Sequence, residues 1–314
     1  NYLQTVKTRA NLKKLLELVG VDMRGPLEAA AGARLTCTEF PVVADFPLRY
    51  TAANRVFAVT SKEDGAPVNY TLYKVANNTI QDIKNIEATF ELEGSEAVNS
   101  TTTSSVFENV ALLEGSLTVQ QGTFDTLEGN KRISLTDSPI VDGSVQVYVD
   151  TGNTGDQANG PYSQVNRLYS ASGGNDRIFQ IIYDDNYAAT VLFGDNALGI
   201  SPPAGATFTV IYRVGGGSRG NVGREIINVE TTILTSNTPQ TSIAVTTENI
   251  TQATGGSEAE TAAHAKKYAP YTFKRQDRVV TLEDFIAIGN TFRSSQGTIG
   301  KTTAATCLLY TSDA

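Results

Sequence analysis

Between residues 35 and 250 the chain runs in short stretches rich in Thr, Val, Tyr and Phe, each closed off by Gly, Asn, Asp or Pro. β-Branched and aromatic side chains suit a pleated strand, and the four closing residues suit turns, so this rhythm confines the middle of the chain to β structure. The clearest predicted strands are Arg55–Thr60, Asn69–Val75, Ala88–Glu93, Val106–Leu113, Ser144–Asp150, Arg177–Tyr183, Thr190–Phe193 and Thr207–Val214. Val145, Val147 and Val149 alternate strictly with Gln146 and Tyr148, which puts one face in a core and turns the other outward or toward a partner. No Gly-punctuated βαβ rhythm is present, which argues against a doubly wound parallel sheet.

The two ends carry a helical period instead. Leu12, Leu15, Leu16 and Val19 share one helix face and Gly20 supplies a stop. Gly25-Pro26 then opens a second short helix whose alanines, Ala29, Ala30 and Ala31, permit close approach. Near the other end, Ser257 and Glu260 have capping-box spacing and predict a helix over 257–268, stopped by Pro270. Thr281 with Asp284 repeats the cap ahead of Leu282, Phe285, Ile286 and Ile288. The fold class this predicts is α+β, with β-rich central modules between a helical N-terminal segment and a C-terminal capped helix pair. Linker composition at Asp137-Ser138-Pro139 and Gly215-Gly216-Gly217 divides it into a helical segment 1–36, a β-rich domain 37–136, a second β module 137–214 that could be an insertion, and a C-terminal α/β assembly domain 215–306, truncated.

The residue inventory narrows the chemistry. With 40% hydrophobic residues the 314-residue chain can bury a sizeable core, and its 25 Lys plus Arg against 33 Asp plus Glu leave a charge of -8 that repels nucleic acid. No stretch approaches the roughly 20 apolar residues of a spanning helix, and the first residues do not have the basic-then-apolar pattern expected of a leader. One His, two Cys and no Trp leave little for a zinc site or for imidazole catalysis. The expectation is a protein that is not an enzyme, with no cofactor, no metal and no small-molecule substrate.

Several stretches carry a sharper reading beside a plain one. Gly215, Gly217 and Gly220 match G-x-G-x-x-G, yet no βαβ unit and no Walker lysine surround them, so a tight turn is the economical reading. Asp150, Asn153, Asp156 and Asn159 offer oxygens to a hard cation, but their spacing fits a solvated turn better. Asp184, Asp185 and Asp195 are the best candidates for paired glycosidase carboxylates, against the ordinary use of Asp in strand-end turns. His264 has no nucleophile beside it, and Cys37, in step with Leu35, reads as a small buried hydrophobe. The cations Lys266, Lys267, Lys274, Arg275 and Arg278, interleaved with Tyr268, Tyr271 and Phe273, have the composition of an interface centre, and we expect them to form the main subunit contact.

At this point the residues carry a resemblance. Phe193-Gly194-Asp195-Asn196 with Gly199, then Pro203 and Gly205, then the strand Val210–Arg213, then Gly215, Gly216 and Gly217 with Gly220 and Asn221, is similar to the signature of the baseplate J-like family, with Asn196 where that family usually has Gly. Gly255-Gly256-Ser257-Glu258-Ala259-Glu260, Ala269-Pro270 and Arg278–Phe285 resemble a second segment of it. Upstream, Phe107–Val110, Leu112–Gly115, Asn11-Leu12 and Arg24–Leu27 resemble the baseplate wedge subunits of T4-like contractile-tailed phages. The resemblance implies a structural wedge protein of the virion tail baseplate, assembled in the host cytoplasm, whose partners are other copies of itself and other wedge proteins, with neither membrane nor nucleic acid. The competing expectation is a tail-associated protein that binds or hydrolyses glycans. Opening on Asn1, the chain reads as a fragment, and Cys307–Ala314 resembles the translation of a transposon-derived sequencing adapter.

Overall fold

The computed structural model describes residues 5–6, 11–12, 15–16, 23–38, 47–51, 53–60, 65–77, 79–80, 90–101, 104–125, 131–184, 188–234, 242–275, 279–294, 297–298 and 302–305. The protein is mostly β, 44% strand against 14% helical, and this corrects the α+β expectation. The physical reason is clearest at Pro26–Ala31. Ala30 and Ala31, two of the three alanines expected in a second helix, open strand β1 (Ala30–Thr38), where Ala31, Ala33, Leu35 and Cys37 alternate into the core. A small side chain suits a crowded sheet as well as it suits a helix crossing, and burial decides between them. Of the first expected helix, most positions lie outside the described residues; Leu12 and Leu16 are buried against Ala265 and Ala269.

Two sheets make up the body. The first runs β16 (Asn228–Leu234), β17 (Ser242–Asn249), β1, β8 (Ser104–Glu114), β4 (Pro67–Ala76) and β3 (Val56–Thr60), with β5 (Thr79–Ile80) beside β4 and β7 (Asn99–Ser100) beside β8. Its concave side holds Leu35, Cys37, Tyr50, Phe57, Tyr70, Leu72, Phe107 and Val245. A separate pair, β2 (Leu48–Tyr50) and β6 (Phe90–Leu92), stacks Tyr50 on Phe90 at 4.9 Å.

The second sheet runs β10 (Arg132–Ser134), β14 (Ala189–Phe193), β13 (Ile178–Tyr183), β12 (Gly160–Gln164), β11 (Gln146–Asp150), β15 (Thr207–Val214) and β9 (Ser116–Thr123). All its pairings are antiparallel except β12 with β13. It curls almost into a barrel, because Gln120 on β9 reaches Ser134 O (3.1 Å) and accepts from Thr136 N (3.3 Å) beyond β10. Val145, Val147, Val149, Phe179, Val191, Phe193 and Val210 fill its interior.

The chain changes sheets at Gly115, not at the Asp137-Ser138-Pro139 segment. β9 and β10 belong to the barrel, which spans 116–214 as an insertion, and β16 and β17 return to the first sheet rather than opening a separate C-terminal domain. Composition marked the linker at 137–139 because it is a turn, but this turn lies within the barrel. Outgoing and returning strands meet because Ser116 pairs with Val214. A Cβ on Gly215 would lie 2.9 Å from Gly115 Cα, so glycine is needed at this crossing.

The seam between the sheets is small and mixed. Tyr73, Leu113 and Ile211 are buried there, with Ala30, Leu117 and Tyr148 packed on them. Arg213 sits over one side of this seam, its guanidinium 5.5 Å from the Tyr73 ring and 2.9 Å from Glu28. Arg55, fully buried, lies 4.6 Å from the same ring and donates to Leu72 O. Burial chiefly pushes its pKa down to about 10, which leaves it charged at neutral pH.

The described helices are α1 (Ala262–Arg275) and α2 (Leu282–Thr291). The expected cap of α2 is formed: Thr281 Oγ1 accepts from Asp284 N (3.2 Å), and the Asp284 carboxylate accepts from Thr281 N (2.8 Å). α1 differs from expectation at both ends. It starts at Ala262, with Thr261 Oγ1 accepting from His264 N (3.2 Å), and it runs through Pro270 to Arg275.

Candidate functional site

The glycine segment 215–221 is the centre of the molecule's polar architecture. Gly215, Gly216 and Gly217 all have positive φ (146°, 92° and 128°), which aims successive backbone N–H groups in directions a regular strand cannot. In a dinucleotide site such a nest would receive phosphate. Here it receives the protein's own oxygens. Gly215 N donates to Pro139 O (2.9 Å), Gly217 N to Leu27 O (3.0 Å) and Ser218 N to Glu258 Oε1 (3.0 Å), while Gly216 N donates to the Glu114 carboxylate. A Cβ on Gly217 would lie 2.7 Å from Glu258 Oε1, and one on Gly220 would lie 2.0 Å from Glu114 Oε2. The G-x-G-x-x-G segment is therefore an internal nest already filled by the protein's own carbonyls and carboxylates.

Glu114, at the end of β8, is 4% exposed. Its Oε2 accepts from Ala29 N at 3.1 Å, and no cation pairs with it among the described residues. Burial is the main force on this carboxyl, pushing its pKa up to about 7; the Ala29 and Gly216 N–H groups oppose that rise, and the charges of Glu28 and Glu258 add to it. Tyr70, opposite Glu114 in the sheet, donates its hydroxyl to Gly220 O. Nothing in the sequence marked Glu114 as special beyond its place in Leu112–Gly115.

A strap over residues 254–260 closes the nest. Asn221 Nδ2 donates to Gly256 O (2.8 Å) and Gly256 N donates back to Asn221 Oδ1 (3.0 Å). Leu27 and Ser257 exchange both backbone bonds, at 2.9 and 3.2 Å, and Ala30 and Thr254 do the same at 2.8 and 3.0 Å. Glu260 N donates to Arg24 O (3.1 Å) while its carboxylate accepts from Arg24 N (3.3 Å). Ser257 thus bridges to Leu27 instead of capping a helix, and Glu260 turns to Arg24 and to His264 Nδ1 (2.8 Å). His264 is a strap-to-helix contact, with its ring 4.5 Å from that of Tyr268.

The turn that follows β14 is held by its own side chains and backbone. Asp195 accepts from Ala197 N (3.0 Å) and Leu198 N (2.9 Å), and these two bonds hold its carboxyl below the usual carboxylate range. Asn196, at φ 70°, adopts the left-handed conformation a glycine would otherwise supply, and its Oδ1 accepts from Ser201 N (2.9 Å). A Cβ on Gly194 would lie 2.2 Å from Gly199 O, and Gly199 N donates to Gly173 O (3.1 Å). Gly205 N reaches Phe124 O (3.0 Å), and Pro203 O accepts from Ala206 N (3.3 Å).

The candidate catalytic acids do not assemble. Asp184 accepts from Ala188 N (2.9 Å) ahead of β14, whereas Asp195 follows the other end of that strand. Five extended residues separate the two by roughly 17 Å or more, too far for the 5–9.5 Å spacing of glycosidase carboxylates; Asp185 lies outside the described residues. Asp150, Asn153, Asp156 and Asn159 accept from Gly152 N, Gly155 N, Ala158 N and Thr151 N, at 2.8, 3.0, 2.9 and 3.1 Å. They are turn acceptors, and no His/Cys/Asp/Glu cluster able to hold a metal occurs among the described residues.

The expected contact surface is divided. Lys266 donates to Val6 O (2.6 Å), which ties it inward, and Lys267 Nζ lies 5.0 Å from the Tyr268 ring. Tyr271 is exposed. The side chains of Phe273, Lys274, Arg275 and Arg278 lie outside the described residues. What the cation pattern did not reveal is the exposure of apolar side chains in and next to α2: Val280 is 78% and Phe285 55% exposed, with Val279, Leu282 and Phe292 also exposed. The helical period placed Leu282 and Phe285 on a buried face, but α2 buries Ala287 and Gly289 instead, Gly289 against Thr302.

Compared with known protein families and with curated proteins, the chain matches none.

Proposed function

We propose that this chain is a structural baseplate wedge protein of a contractile phage tail, working through contacts between subunits and without catalysis. One observation carries the reading. The segments that resemble the baseplate J-like family, Gly215–Asn221 and Gly255–Glu260, and those that resemble T4-like wedge subunits, Arg24–Leu27 and Leu112–Gly115, are far apart in sequence but meet at one node. There they hydrogen-bond to one another: Gly217 N to Leu27 O, Gly216 N to Glu114, Ser218 N to Glu258, and Gly256 to Asn221. Residues that recur for catalysis would converge on a cavity. These converge on each other, which is what a part that must keep its shape under load requires. The exposed apolar side chains Val280, Leu282 and Phe285 support the same reading, because large exposed apolar groups mark contact surfaces.

Under this reading the protein belongs to the virion, is assembled in the host cytoplasm, and has copies of itself and other wedge proteins as partners. Cross-linking mass spectrometry on purified tails tests it. Links from Lys267 to another wedge subunit or to a second copy are the expected result, and absence of the chain from intact tails would overturn the proposal.

A further inference from the structure

A strand at the rim of a sheet leaves half of its backbone groups without a ladder partner. The two large sheets end at β9 and β10, and at β16 and β3. β9 and β10 are bridged by Gln120, which reaches Ser134 O and Thr136 N, and β16 has β2 against it. On the outer side of β3 no strand pairs among the described residues. The register decides which groups point there. Leu72 N donates to Arg55 O (2.8 Å), one step beyond the pairing of Val56 with Thr71. Bonded and non-bonded pairs alternate in an antiparallel ladder, so Phe57 with Tyr70 and Val59 with Val68 are the bonded pairs. Gly115 N donates to Asn69 O on the other side of β4, as that alternation requires. The N–H and C=O groups of Val56, Ala58 and Thr60 therefore point outward, away from β4. Nor does β3 carry the usual protection of a rim, since it has no charge, no proline and no bulge, and Ala58 and Thr60 are exposed.

We infer that β3 is a pairing edge for a second copy of the chain, joined antiparallel about Ala58 so that the two first sheets become one. The strand's own spacing selects this partner. A two-fold axis at Ala58 sets Val56 against Thr60 of the second copy and Ala58 against its counterpart, so every outward N–H meets an outward C=O. On the core-facing side the same axis sets Phe57 against Val59 of the second copy, and an aromatic opposite a β-branched residue is a stabilising cross-strand pair. Phe57 is buried in the first core and Val59 is packed on it, so the pairing extends that core across the axis. No like charges meet along the five residues. A contact this short is at the small end of specific interfaces, and association is weak. The edge belongs to the isolated chain, and the inference stands whether or not the chain is a baseplate protein.

Sedimentation equilibrium of the full chain from about 1 to 300 μM tests the edge, with hydrogen–deuterium exchange of 56–60 followed over the same range. A monomer–dimer equilibrium is expected, with exchange at 56–60 slowing several-fold toward the concentrated end while that at 132–136 on β10 is unchanged. Ala58→Lys sets two cations against each other at the axis and should weaken the dimer about tenfold, leaving the unfolding midpoint of the monomer in place because Ala58 is exposed. Ala58→Pro removes an outward N–H that bonds to nothing within its own ladder, so the strand tolerates it, and the dimer should be lost. A chain that stays monomeric throughout overturns the inference and leaves the edge to an extended segment of another protein. A dimer of wild-type affinity in Ala58→Lys overturns it as well, even if Ala58→Pro does not fold. Loss of the dimer in Phe285→Asp with retention in Ala58→Lys would assign self-association to α2 and overturn it too.

Discussion

Asn221 and Gly256 exchange two hydrogen bonds, side-chain amide to carbonyl at 2.8 Å and backbone N–H to side-chain oxygen at 3.0 Å, across 35 residues of chain. An amide that both donates and accepts is the one side chain of this length that can imitate a peptide unit, so Asn221 extends the pairing of the strap as a strand would. Asn221→Ala should therefore cost about 1–2 kcal/mol in urea unfolding, the pair being partly solvated. Gly256→Ala should cost more, because its Cβ would lie 2.4 Å from Gly217 O and the strap would have to move. A smaller loss for Gly256→Ala than for Asn221→Ala would show that the strap is pliant there.

The barrel should fold alone. Its core is its own, Phe124 and Tyr162 packing edge-on against Phe193 at 5.3 Å each, and its two ends lie side by side at Ser116 and Val214. Expressed as residues 116–214 it should unfold in one cooperative step by circular dichroism. Gly194→Ala in that fragment, with its Cβ 2.2 Å from Gly199 O, should cost about 3 kcal/mol or prevent folding. A fragment that shows only non-cooperative melting would mean the seam at Tyr73 and Leu113 is part of the barrel's core.

Periodicity made the strands legible, because a half-buried strand writes its burial as alternation. Val145, Val147 and Val149 point inward as their spacing requires. What it did not convey was which sheet a strand joins. β9 and β10 read the same whether they belong with β8 or with β15, and only long-range pairing, Ser116 with Val214, decides it. Alanine at 29–31 was equally silent, since its small side chain leaves helix and strand open. At the glycine segment the conformational need for glycine was readable, but the occupant of the nest was not, because Glu114 and Glu258 arrive from 100 residues upstream and 40 downstream.

Two carboxylates should respond to pH with opposite signs. Glu114 has its folded pKa raised to about 7 from 4.5, so the folded state holds the extra proton between those values and stability falls as pH rises through them. The full effect is at most about 3 kcal/mol between pH 4.5 and 8, and Glu114→Gln should abolish it, as read from urea midpoints at pH 5 and 8. Asp195 is held below its ordinary value by Leu198 N and Ala197 N, so its contribution is complete above about pH 4 and is lost only in acid. Asp195→Asn should leave the pH 5–8 interval unaltered and blunt the acid limb alone.

If the α2 strip is a subunit contact, apolar area and charge should separate in kinetics. Val280 and Phe285 are 78% and 55% exposed, so Val280→Asp and Phe285→Asp leave the isolated fold intact, with unfolding midpoints within experimental scatter of wild type. Burying Phe285 against a partner is worth about 1.5–3 kcal/mol, so its loss should shorten the lifetime of the assembled contact by roughly 10- to 100-fold. Lys267 lies over Tyr268 with its cation outward, and Lys267→Glu should slow encounter, steepest at low salt, without changing lifetime much. Lys266→Glu differs from both, because Lys266 donates to Val6 O: it should lower the stability of the free chain before it affects any partner. Surface-plasmon measurements with a wedge partner or a second copy separate these outcomes. If Phe285→Asp and Val280→Asp bind with wild-type dissociation rates, the strip is not the contact, and the cations alone would have to carry it.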